Sequence, residues 1–242
     1  MAKINKNYSP NFSTLKRSKK RIKFIILHYT GMKKESSVLK RLCNEKSNVS
    51  AHYLIKKNGG LINIVPDLYV AWHAGKSTWK KTRSLNKYSI GIEIHNPGHD
   101  YRYEKFSIKQ ITSIKKLIKQ LIKKYDINLE NILGHSDIAP ERKKDPGEKF
   151  PWKKLAKANL AKWHTLNESD LKKRRLKELN KKEENIFLKN LYIFGYNKIK
   201  KLDPNLNKKF IITAFQRRFR QSLINGKSDQ ECFLISQNLL KS

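Results

Sequence analysis

The stretch Phe24-Ile25-Ile26-Leu27-His28 decides how the rest of the chain is read. Four consecutive apolar residues without polar alternation suit a strand buried on both faces. A histidine closes the run, where a strand hands over to a loop. Working outward, Ala51-His52-Tyr53-Leu54-Ile55 and Leu61-Ile62-Asn63-Ile64-Val65 flank the turn Asn58-Gly59-Gly60, which predicts a hairpin. Ile90-Gly91-Ile92-Glu93-Ile94 alternates as a further strand and stops at Pro97-Gly98. Glu35 to Cys43 allows a short helix. Ser107 to Tyr125 is the clearest one: Ile111, Ile114, Ile118, Leu121, Ile122 and Tyr125 fall on one face, and Ser107 with Gln110 forms a capping box. Strands alternating with helices predict an α/β fold, a central mixed sheet flanked by helices.

The chain has 242 residues, enough for one medium domain and a small one. Residues 1–21 read as a basic, irregular N-terminal arm, 22–160 as the main domain, 161–184 as a charged linker and 185–242 as a small three-helix domain. In that last unit Phe187, Leu191 and Phe194 mark one helix, stopped by Gly195. Ile212, Phe215, Phe219 and Leu223 mark a second. Ser228 and Glu231 form a capping box that opens a third, with Ile235 and Leu239 inward.

The formal net charge is +34, from 54 Lys+Arg against 20 Asp+Glu. That balance tolerates anionic partners. Lysine far outnumbers arginine and is spread along the whole chain, as A+T-rich codon usage would produce. The basic residues do not cluster with exposed aromatics, so a specific nucleic-acid partner is not expected. Two distant cysteines, Cys43 and Cys232, exclude a disulfide scaffold. No run reaches the length of a transmembrane segment. Met1 to Lys23 carries eight Lys/Arg and no acidic residue, but the apolar run after it is too short for a signal peptide. The expectation is a cytoplasmic monomer.

His28, His135 and Asp145 form a candidate metal set: two histidines and one carboxylate with an open fourth position suit hydrolytic zinc. Each has a bland reading alone. A histidine at a strand end is commonly structural, and Asp145 before Pro146-Gly147 is a normal turn residue. Glu93 is a carboxylate in an apolar run, which needs either a cleft or solvent. Its chemical role would be general base.

Five blocks in order then carry a resemblance: Phe24 to Gly31, Val49 to Ile55, Ala71-Trp72-His73-Ala74-Gly75-Lys76-Ser77, Ser89 to Ile94, and Gly134-His135-Ser136-Asp137-Ile138-Ala139-Pro140 with Lys143-Lys144-Asp145-Pro146-Gly147. Together they resemble the zinc-dependent N-acetylmuramoyl-L-alanine amidases of type 2, over about residues 20–155. The resemblance implies one zinc per chain on His28, His135 and Asp145. It implies Glu93 as catalytic base and Lys143, rather than Lys144, as the oxyanion residue. Trp72 and His73 are implied to contact substrate, and His52 to be structural. The substrate implied is peptidoglycan or its muropeptide fragments, cut between N-acetylmuramic acid and L-alanine in wall turnover or recycling. The stretch Ala214 to Arg220 with Asn225-Gly226 and Asp229 resembles, more loosely, a three-helix peptidoglycan-binding module.

Overall fold

The computed structural model describes residues 5–6, 8–199 and 202–241. Its strands are β1 (Asn5–Lys6), β2 (Phe12–Ser13), β3 (Phe24–Tyr29), β4 (Tyr53–Ile55), β5 (Leu61–Asn63), β6 (Val70–Ala71), β7 (Thr78–Trp79), β8 (Thr82–Arg83), β9 (Ser89–Ile94) and β10 (Ile132–Gly134). Its α-helices are α1 (Glu35–Leu42), α2 (Ile108–Tyr125), α3 (His135–Ile138), α4 (Trp152–Ala156), α5 (Glu168–Arg174), α6 (Lys181–Phe194), α7 (Pro204–Phe219) and α8 (Gln230–Lys241). Six strands form the main sheet in the order β1-β5-β4-β9-β3-β10. β4, β9, β3 and β10 run parallel, while β4 and β5 make the antiparallel hairpin. The sheet is mixed and carries helices on both faces, as the alternation in the sequence predicts.

Strand periodicity explains the two faces. On β3, Ile25 and Leu27 join the apolar cluster under α2 and α4, while Phe24 and Ile26 join the opposite one. On β9, Ile90, Ile92 and Ile94 face α2, which leaves Ser89, Gly91 and Glu93 for the other side. Helix α2 buries Ile114, Leu117, Ile118, Leu121 and Tyr125, and its capping box is formed as expected: the Gln110 N–H donates to Ser107 Oγ and the Ser107 N–H to Gln110 Oε1.

The second cluster is where the sequence reading falls short. Phe24, Ile26, Trp79, Leu133 and Ile138 of the sheet half share one continuous core with Phe187, Leu191, Ile211, Phe215 and Ile235 of α6–α8. The segment expected as a charged linker is folded against both: Leu171 of α5 is buried and the Trp163 ring lies tilted against Phe219, with centroids 5.5 Å apart. Gly195 ends α6 with φ 149° and lets the backbone rest on the Trp79 indole, where a Cβ would come within 2.4 Å of the ring.

Two details differ from expectation. Helix α8 is capped by Asp229, whose Oδ1 accepts the Cys232 N–H at 3.0 Å. Ser228 instead donates to Glu184, and Glu231 pairs with Arg175. Asp229 is itself a strong cap former, so two adjacent candidates competed and the later one won. Leu223 lies beyond the end of α7 at Phe219. The basic arm, where it is described, is held in place: Asn11 Nδ2 donates to the Asn44 and Val49 carbonyls, and buried Arg17 donates to the Asp67 and Asn86 carbonyls.

Candidate active site

Three parallel strands deliver the site at their carboxyl ends, where open α/β sheets bind ligands. His28 is the penultimate residue of β3 and Glu93 that of β9, and the two are lateral partners in the ladder. His135 opens α3 directly after β10. Asp145 sits on the loop beyond α3, tied back by the Ser136 N–H, which donates to the Asp145 carbonyl at 2.9 Å.

His28 Nδ1, His135 Nδ1 and Asp145 Oδ2 meet in a triangle of 2.9, 2.9 and 3.1 Å. All three residues are buried, and together they form a group able to hold a metal ion. The hydrogen bonds behind the triangle determine which ring atoms carry protons. His135 Nε2 lies 3.1 Å from the Ala74 carbonyl, which can only accept, so Nε2 bears the hydrogen and Nδ1 keeps its lone pair. For His28 the same logic runs through three side chains. Ser89 Oγ donates to the Leu85 carbonyl at 2.7 Å, so it accepts from His73 Nε2 at 3.2 Å. His73 Nδ1 is then the acceptor for His28 Nε2 at 3.1 Å. Both metal-facing nitrogens are therefore lone-pair donors, and a carboxylate completes the set. Three electron-rich atoms converging with their protons directed elsewhere could hold a cation. Two nitrogens and one carboxylate oxygen are the donor chemistry zinc takes in hydrolases, so the residues present fit that ion.

This geometry gives His73 a specific place. It lines the cleft, as the sequence suggests, but both its ring nitrogens are committed to the protein. Its ring packs against Gly91, where a Cβ would approach it to 2.3 Å. The glycine in the middle of β9 exists to admit that ring, and this was the signal in the sequence that could have exposed the role. Ser89 and the carbonyls of Ala74 and Leu85 were not legible in advance. Arg142 was also missed; its guanidinium braces the Ala74 carbonyl at 2.5 Å. His52 is buried away from the triangle, accepting the Gly91 N–H at Nδ1.

The triangle opens into a cleft of about 460 Å³, a size suited to a small ligand. Trp72, Glu93, Lys143, Lys144 and Arg41 line it with the histidines. Burial of His28, then the neighbouring His135, pushes its pKa down to about 4. Glu93 behaves in the opposite way. Burial first, and the Asp145 charge second, hold its carboxyl well above the ordinary range, while Lys143 and Arg41 pull it back. Its Oε2 is shielded from solvent and has no hydrogen-bond partner among the described residues.

A raised carboxyl pKa stabilises the fold fully below the unfolded value of 4.5, and this contribution is lost as pH rises through the native value. With metal chelated, Glu93→Gln is therefore expected to gain stability over wild type as pH rises from about 4 to about 7. The gain should reach about 1–3 kcal/mol, since glutamine has no charge to bury. Paired thermal melts at both pH values measure it; a gap that stays constant would mean Glu93 has a partner.

Residues 18–148 match the family model described as N-acetylmuramoyl-L-alanine amidase. The chain belongs to the N-acetylmuramoyl-L-alanine amidase family. It is 34% identical to the N-acetylmuramoyl-L-alanine amidase AmiD of Escherichia coli, over 91% of this chain and 83% of that protein. It is 40% identical to the 1,6-anhydro-N-acetylmuramyl-L-alanine amidase AmpD of Enterobacter cloacae, over 44% of this chain and 55% of that one. The amidase fold is shared as well. A structure of E. coli AmiD in complex with the substrate anhydro-N-acetylmuramic acid-L-Ala-D-gamma-Glu-L-Lys superposes with a TM-score of 0.80 over 91% of this chain and 89% of that one, at 34% identity. AmpDh3 of Pseudomonas aeruginosa, in complex with anhydromuramic pentapeptide, gives 0.79 at 30% identity, over 96% of both chains.

Proposed function

We propose that this amidase hydrolyses the amide between the lactyl group of N-acetylmuramic acid and L-alanine, in muropeptides, with one zinc per chain on His28, His135 and Asp145. The observation that carries the reading is the convergence of two lone-pair imidazole nitrogens and a carboxylate beside Glu93, whose buried Oε2 has no partner among the described residues. Bound there, zinc would polarise the scissile carbonyl and lower the pKa of a water. The chain's own groups do the rest. Glu93 takes a proton from the attacking water; its raised affinity for protons suits a base working near neutrality. The Lys143 ammonium stabilises the negative charge that develops on the carbonyl oxygen. Glu93 then returns the proton to the departing alanine nitrogen. Water is thus split between an acyl carbon that gains hydroxyl and an amine that gains hydrogen. Trp72 forms part of the wall against which the substrate rests.

AmiD and AmpDh3 bound to anhydro-muropeptides support soluble fragments as substrate. A cytoplasmic recycling role is the placement proposed with it. For α6–α8 we propose contact with wall polymer, at a groove of about 490 Å³ that includes Leu179, Lys208, Ile212, Asn225 and Gly226. Incubation of the purified protein with anhydro-muropeptide, and separately with intact sacculi, tests the reading. Release of the free peptide stem with its new L-alanine amine is the expected product, at one zinc per chain by metal analysis. Intact substrate after prolonged incubation of zinc-loaded protein would overturn it.

A further inference from the structure

The ion pair between Arg218 and Asp137 joins parts of the chain that no shared motif connects. Both side chains are 1% exposed, with Nη1 and Oδ2 at 2.9 Å. Arg218 comes from α7, and Asp137 is the third residue of α3, which begins with His135. The Tyr196 hydroxyl, just past α6, donates to Asp137 Oδ1 at 2.7 Å. Asp137 Oδ2 also accepts the N–H of Gly134, the residue before the metal-facing histidine, at 2.8 Å.

This arrangement is expensive. The guanidinium lies over the Trp152 ring at 4.5 Å, but its Nε and Nη2 find no hydrogen-bond partner among the described residues. A buried pair with unmet donors adds little to stability compared with an apolar substitute. What it does supply is geometry. Two donors from the C-terminal helices fix one carboxylate, and that carboxylate fixes the backbone entering His135. The next residue, Ser136, holds the Asp145 loop through its N–H. Gly195 sets the reach of Tyr196, because only a residue without Cβ lets the chain turn that close to Trp79.

We propose that the C-terminal helices position the zinc-binding turn, with Tyr196 and Arg218 acting through Asp137, so that metal affinity depends on a unit that supplies no ligand. The proposal rests on the zinc reading above. Tyr196 and Arg218 are positioning residues: neither lines the cleft. Groups that orient a ligand from behind typically govern metal affinity by about 10–100-fold.

The test uses full-length Tyr196→Phe and Arg218→Met beside wild type. Three quantities are read: the zinc dissociation constant against a competing chelator, the visible spectrum of the cobalt-substituted protein, and the thermal midpoint with metal removed. Tyr196→Phe deletes one oxygen and keeps the ring packed on Trp79. It is expected to melt close to wild type when metal-free, to bind zinc about tenfold more weakly and to shift the cobalt bands. Arg218→Met is expected to go further in the same direction. If Arg218→Met does not fold, Tyr196→Phe decides alone. Wild-type zinc affinity and an unchanged cobalt spectrum in Tyr196→Phe would overturn the proposal, whatever its melting point. Wild-type protein that takes up no zinc would instead overturn the metal reading.

Discussion

Glu93→Gln protein is expected to bind zinc as tightly as wild type and to cleave muropeptide about 10²–10⁴-fold more slowly, the range spanned by loss of a general base. Glutamine keeps the size and the position on β9 but cannot take up a proton. Glu93 is lateral to His28 in the sheet, so it faces the cleft from a rigid strand rather than a loop. The triangle of donors is complete without it. Turnover and metal affinity should therefore separate: kcat falls while the zinc dissociation constant stays put. Steady-state kinetics with equilibrium metal titration measure both. Turnover within a few-fold of wild type would remove Glu93 from proton transfer.

His28→Ala is expected to lose both properties at once. One of three donors disappears from a buried site, and the two that remain, His135 and Asp145, lie together on one loop and its flanking turn. Hydrolysis should drop by ~10³-fold or more, since the metal's share of transition-state stabilisation is several kcal/mol. Chelating wild-type protein should reproduce the loss, and added zinc should reverse it there but not in the variant at comparable metal. Release of peptide by thoroughly chelated protein at the wild-type rate would end the metal mechanism.

Local chemistry explains which features could be read in advance. Phe24 to Leu27, the alternation of Ile90 to Ile94 and the helix face of α2 each state their environment in a few adjacent residues. His28, His135 and Asp145 are a candidate set by donor chemistry, and the ordered blocks that bracket them give the set its weight; the spacing of ten residues between the last two is no generic metal pattern. The resemblance puts His73 against substrate, since a sequence does not say which way an imidazole is turned. Only the sheet, with Ser89 and Gly91 on the same face, shows its nitrogens spent on His28 and Ser89. Arg218 and Asp137 lie 81 residues apart, and nothing near either one announces the pair. The charged stretch after residue 160 hid a few apolar anchors, Trp163, Leu166, Leu171 and Leu179, among many lysines.

The core shared by the sheet and α6–α8 has a bearing on how a polymer would meet this enzyme. A module on a loose tether raises the local supply of substrate over a whole sphere of positions, with the gain set by linker length. Here the junction is packed: Trp79 meets Phe194 and Tyr196 edge to face, with ring centroids 5.8 and 5.0 Å apart. On the wall-binding reading of these helices, grip and blade keep one separation and one angle, like the jaws of a caliper. A strand would be cut only where a stem peptide falls in register with that span.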